Sequence, residues 1–165
     1  MKHRDTRRMT QVLIASVLTA LLLVSCGGSG APDVDWEISI TGAVDTPLTL
    51  TYADLAEMPQ TELNEIMMEK STGEDEVTSW SGVSIDVIFE QAGVDEDFST
   101  VIATAADGYA IEITRDELEG GIIALRDFEG WIAETDPDKG PIRLVTPQTP
   151  GNRWVFSLTA LSVQP

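Results

Sequence analysis

The segment Trp80 to Gly93, WSGVSIDVIFEQAG, changes its periodicity halfway, and that change decides the class of fold. Val77 to Trp80 reads as the returning arm of a hairpin. Ser84 then offers a hydroxyl cap, and Ile85, Ile88, Phe89 and Ala92 fall on one face at helical spacing. Gly93 supplies the left-handed stop. A strand that hands over to a short amphipathic helix, inside a chain of hairpins, is the pattern to follow outward.

Upstream, Trp36, Ile38 and Ile40 alternate as a strand does, Asp45-Thr46-Pro47 turns the chain, and Leu48 to Leu50 returns it. Thr51 with Asp54 caps a short helix over Tyr52 to Met58, which Pro59 stops. Thr61 to Lys70 is expected to be extended, with Ser71-Thr72-Gly73 turning into the acidic tip Glu74-Asp75-Glu76. Downstream, Val101 to Ala105 and Tyr109 to Ile113 form a hairpin across Ala106-Asp107-Gly108. Thr114 with Glu117 is a capping box for a helix ending at Leu118. Ile122 to Arg126, Ile142 to Val145 and Leu158 to Val163 are the remaining expected strands. Helices and hairpins alternate without a βαβ repeat, so the class is α+β, mixed sheets with short helices.

The N-terminus reads differently. Lys2, Arg4, Arg7 and Arg8 stand against the single acid Asp5, and Val12 to Val24 runs thirteen residues without a charge. That is a basic and then an apolar region, too short for a membrane-spanning helix of roughly 20 residues. Leu23-Val24-Ser25-Cys26 resembles the lipobox of secreted lipoproteins, where the chain is cut before the cysteine and the thiol takes up lipid. The alternative is an uncleaved anchor helix. Arg7-Arg8 also fits twin-arginine export, although Thr10 stands where that signal prefers a bulky apolar residue. The expected organisation is a signal peptide over 1–25, a tether over 26–35 and one domain over 36–165. The expected location is extracytoplasmic, with Cys26 as the lipidation site and the membrane as a partner.

If Cys26 carries lipid and His3 leaves with the signal, the domain has no thiol or imidazole for chemistry. A Ser-His-Asp triad, a Cys-His pair and a Cys/His zinc site are then excluded, as is an intrachain disulfide. Removing the four bases and one acid of residues 1–25 from the ten bases and 28 acids leaves six against 27, a net of about −21. Phosphate backbones need clustered Lys and Arg, so nucleic acid is not a partner. Such a surface suits high salt, where screening relieves repulsion, or is simply that of an acidic secreted protein.

Five short blocks in order resemble the molybdopterin-binding domain of the sulfite oxidase family. They are Ile40-Thr-Gly-Ala-Val-Asp-Thr-Pro47 with Leu48-Thr-Leu50; Trp80-Ser-Gly-Val83 leading into the helix; and Ala106-Asp-Gly-Tyr109. Ile123-Ala-Leu-Arg126 with Glu129-Gly130 and Gly140-Pro-Ile-Arg-Leu-Val-Thr-Pro147 follow, then Gly151-Asn-Arg-Trp-Val155. The resemblance implies that family's mixed α+β fold, and a small stand-alone version of it. In the larger enzymes the fold cradles molybdenum cofactor, with the metal on a cysteine between the first helix and the Trp-Ser-Gly segment. Here that region is Thr61 to Lys70, where Met67 and Met68 stand nearby. A neutral thioether does not replace an anionic thiolate. Molybdopterin is therefore the cofactor the family allows but one this chain is not expected to need. A non-catalytic binding module is expected, with a molybdopterin-dependent oxidoreductase as the alternative.

The candidate cofactor- or ligand-binding residues are Arg143, Arg153, Trp80, Asp107 and Tyr109; no catalytic or metal-ligating residue is assigned. Arg143 and Arg153 could clamp an anion through planar guanidinium groups, or each could pair with a local carboxylate. Asp107-Gly108-Tyr109 offers turn amides and a phenol, or is only turn chemistry. Trp80, Trp131 and Trp154 could stack a flat ring, or serve as core. The expected ligand is a small anionic or heterocyclic molecule, or a protein partner.

Overall fold

The computed structural model describes residues 30–165, so Cys26 and the expected signal lie outside the described residues. In chain order the elements are β1 (Glu37–Gly42), β2 (Leu48–Thr51), α1 (Tyr52–Glu57), β3 (Gln60–Met68), β4 (Glu76–Ser84) and α2 (Ile85–Ala92). Then come β5 (Thr100–Ala105), β6 (Ala110–Thr114), α3 (Arg115–Leu118), β7 (Ile122–Asp127), α4 (Ile132–Thr135), β8 (Arg143–Val145), β9 (Val155–Phe156) and β10 (Leu158–Gln164). Single turns of 3-10 helix cover Pro137–Lys139 and Gly151–Arg153.

Local chemistry sets the helix ends. Thr51 and Thr114 each build a complete capping box, with Asp54 and Glu117 returning the hydrogen bond to the cap backbone. Ser84 caps α2 by accepting from the Asp86 amide, and Gly93 closes it at φ 65°. A side chain there would meet Asp45 at 2.7 Å, so both the backbone and the space demand glycine.

The strands form two five-stranded sheets, ordered β2-β1-β10-β5-β6 and β3-β4-β7-β8-β9. All neighbouring pairs are antiparallel except β1 with β10. Ile38, Ile40, Val101 and Leu161 of the first sheet share one core with Val83, Ile123, Leu125 and Leu144 of the second. A smaller cluster of Trp80, Ile122, Ala124, Ile132, Val145 and Trp154 occupies the other face of the second sheet. That explains β7, whose Ile122, Ile123, Ala124 and Leu125 form an unbroken buried run: this strand is covered on both faces. Ile122 and Ala124 face the small cluster while Ile123 and Leu125 face the large one.

Gly82 has no room for a side chain, because a Cβ would fall 2.0 Å from the Ile123 carbonyl oxygen at the β4–β7 irregularity. Before β1, Ala31, Val34 and Trp36 pack on the large core, and the Trp36 indole donates to the Leu158 carbonyl at 2.8 Å. Two strand–helix details were not expected from the sequence. The α4 turn begins at Trp131 with no side-chain cap, and β9 is only two residues long.

Candidate functional site

The small cluster ends in a buried cation. Strand β8 alternates, sending Leu144 into the large core and Arg143 with Val145 toward the other face. The Arg143 side chain is only 7% exposed. Its guanidinium lies 3.8 Å from the centre of the Phe156 ring, which is its register partner on β9, and 4.6 Å from that of Trp80. Both rings present electron-rich faces to the charge.

Hydrogen-bonding partners are fewer. Nη2 of Arg143 stands 3.9 Å from the Asp136 carboxylate, a distance beyond a hydrogen bond, and the buried Nε has no partner. Asp136 is drawn at the same time to Lys139, at 3.2 Å. Asp127 is close enough to favour the charge but is committed elsewhere: it accepts from the Glu129 and Gly130 amides and from the Thr135 hydroxyl. Burial therefore dominates, and lowers the Arg143 pKa to about 10 against the opposing pull of Asp136 and Asp127.

In front of this group lies a pocket of about 140 Å³ lined by Arg143, Lys139, Trp80, Phe128, Thr78 and Met68. The carboxylates of Glu76, Asp127 and Asp136 also border it. At roughly 30 Å³ per water the space holds about four or five waters, or one small oxyanion.

Of the five candidate binding residues, only Trp80 joins Arg143 here, while Met68 of the Thr61–Lys70 segment and Glu76 of the acidic tip border the pocket. The face of Trp80 is taken by the guanidinium, its edge meets Trp154 at 5.9 Å and 88°, and its indole donates to Thr78 at 2.8 Å. Trp131 is likewise engaged, under the Arg126 guanidinium at 4.5 Å and beside Tyr52. Arg153 reaches away to Glu117 and to the Glu112 carbonyl, both at 2.9 Å, and ties the Gly151–Arg153 turn to α3 and β6. Asp107 and Tyr109 occupy the exposed tip of the β5–β6 hairpin, where the Asp107 carboxylate accepts from the Tyr109 amide at 2.8 Å. Phe128 and Phe156 escaped the reading as site residues, and the Asp136–Gly140 segment reads in sequence as a weak oxygen-ligand match for calcium rather than as the source of the Lys139 cation. Phe156 belongs to a two-residue strand that shows no periodicity, and Phe128 stands in a turn.

A larger groove of about 790 Å³ lies between α2 and α3. Six carboxylates border it against the single cation Arg115, so it repels an anion.

Residues 29–165 match the family described as oxidoreductase molybdopterin binding domain, and the chain belongs to that family. No curated protein matches it. Among solved structures it is similar to the sulfane dehydrogenase SoxCD from Paracoccus pantotrophus, at 21% identity and a TM-score of 0.69. That similarity covers 82% of this chain and 40% of the other, so the two share the sulfite oxidase-like fold while this chain spans less than half of its relative's length.

The residues present do not fit the family's cofactor. The described residues contain no cysteine, and no group of three or more potential metal ligands gathers among them. The pocket beside Arg143 and Lys139 is well below the roughly 300–1,000 Å³ of ordinary ligand sites, and the larger groove has the wrong charge for a phosphate-bearing molecule.

Proposed function

We propose that this chain is a lipid-anchored, extracytoplasmic and non-catalytic member of its family that binds a small oxyanion at Arg143. The carrying observation is the guanidinium itself: 7% exposed, held between two rings, with Nε unpartnered and its nearest carboxylate at 3.9 Å. A desolvated cation with unfilled donors facing a small pocket is suited to a sulfate, phosphate or carboxylate group. Lys139 at the rim adds a second positive charge, paired with Asp136. The lipid anchor is supported by the Leu23–Cys26 motif and its basic and apolar flanks.

The test uses the full chain produced in a host that makes molybdenum cofactor. Metal and oxidised pterin are assayed, and calorimetric titrations use sulfate, phosphate and acetate. The expected result is neither metal nor pterin in stoichiometric amount, with saturable binding of one anion that Arg143→Met abolishes. Stoichiometric molybdenum with pterin would make the chain an oxidoreductase. Absence of anion binding in the unsubstituted chain would overturn the site.

A further inference from the structure

We infer that the end of the domain bearing Tyr109, Phe128 and Phe156 faces the bilayer as a second membrane contact. The inference rests on the lipid-anchor reading of Cys26. Between Cys26 and Ala31, where the chain packs on the core, there are five residue steps of at most about 3.6 Å, so the lipid lies within about 18 Å of that point. The anchor therefore holds the end of the domain where the chain enters, and the contacts of Trp36, just before β1, mark the end at which β1 begins.

Trp36 donates to the Leu158 carbonyl at 2.8 Å. The neighbouring Ser157 donates to the Lys139 carbonyl at 2.9 Å, and its own carbonyl accepts from the Ala106 amide at 2.9 Å. Ala106 leads into the hairpin tip with Tyr109. The Lys139 ammonium stands 5.5 Å from the Phe156 ring, and Lys139 shares a pocket wall with Phe128. The start of β1, the base of the β5–β6 hairpin and the pocket rim are thus contiguous.

Among the described residues the exposed large apolar side chains include three aromatics: Tyr109 at 47%, Phe128 at 70% and Phe156 at 38%. All three stand at this end. The other two, Met67 and Val77, pair with each other across β3 and β4. Aromatic rings favour the membrane–water interface, and Lys139 can extend its ammonium to the headgroups while its stem stays apolar. Asp107, Glu129 and Asp138 are exposed beside these rings, which makes a zwitterionic surface the fitting one and an anionic surface repulsive.

If lipid occupies the only cysteine, a Phe128→Cys substitution introduces the only free thiol. The lipidated full chain in phosphatidylcholine vesicles is spin-labelled there, and in a second protein at Tyr109→Cys. The comparison label is Asp97→Cys, near Ser99, whose amide donates to the Gln164 carbonyl at the opposite end of β10, about 20 Å away. Labels at 128 and 109 are expected to be several-fold more accessible to membrane-partitioning oxygen, relative to an aqueous nickel chelate, than the label at 97. Equal ratios at all three positions, or a higher ratio at 97, would overturn the orientation. A chain that does not float with the vesicles removes the anchor and the inference with it, a failure read by flotation rather than by the labels.

Discussion

Arg143 is a cation in a place where a cation is costly, because its desolvation is offset mainly by two ring faces and a carboxylate at 3.9 Å. Replacing a buried charge by an apolar side chain of similar length is often neutral or stabilising by about 1–4 kcal/mol. Arg143→Met is therefore expected to leave the melting temperature unchanged or raise it while removing anion binding. A fall of several degrees would instead make the guanidinium a structural clasp. Asp136→Asn works in the opposite sense on the ligand: it frees Arg143 and Lys139 from their shared carboxylate, and titration is expected to show several-fold tighter anion binding. The arginine and Trp80 were legible as site candidates from their residue types, since few other bases and rings exist in the domain. The shared cage was not legible, because its second ring comes from Phe156 on a strand too short to show alternation.

At the scale of elements, the capping boxes make a prediction with a sign. Asp54 lies below its ordinary pKa because the Thr51 side chain and then its amide bond to it, and Glu117 lies below its own chiefly through the Thr114 amide. A depressed carboxylate stabilises the fold above its ordinary pKa and loses that contribution as pH falls through the folded value. Thr51→Ala and Thr114→Ala should each lower stability at neutral pH by about 1 kcal/mol. Thr51→Ala, which removes the main cause of the Asp54 shift, should also flatten the loss of stability below the ordinary carboxylate range. Thr114→Ala keeps the amide bond to Glu117 and should leave that loss nearly unchanged. The flattening will be slight at Asp54, which is exposed and screened. Chemical denaturation from pH 7 down to about 3 measures both effects; an acid limb flattened more by Thr114→Ala than by Thr51→Ala would show that the hydroxyls and amides do not divide the work in this way. Gly82→Ala should be harsher, about 1–3 kcal/mol or more, because the Ile123 backbone cannot yield as a side chain could. These elements were readable where capping, glycine stops and alternation agree, as in α2 and the β5–β6 hairpin. The α4 turn was not: it has no side-chain cap and is held by Ile132 packing in the small cluster, a tertiary cause.

For the whole molecule, the domain's excess of acids over bases sets the response to salt. Raising ionic strength from about 0.1 to about 1 M shortens the screening length from about 10 to about 3 Å, so the melting temperature should rise steadily over that range. A flat profile would mean that the carboxylates are too well separated for repulsion to matter. Two sheets closing on a shared core were foreseeable only as a class, since strand order depends on contacts far apart in sequence. One such contact governs biogenesis. Strand β10 comes last among the elements but lies inside the first sheet, between β1 and β5, and contributes its only parallel pairing. A nascent chain that has already made β1, β2, β5 and β6 still holds two separate hairpins until residues 158–164 emerge from the ribosome. Completion of the first sheet therefore waits for residues 158–164, and a chain stalled before them leaves the edges of β1 and β5 open to pairing with other strands.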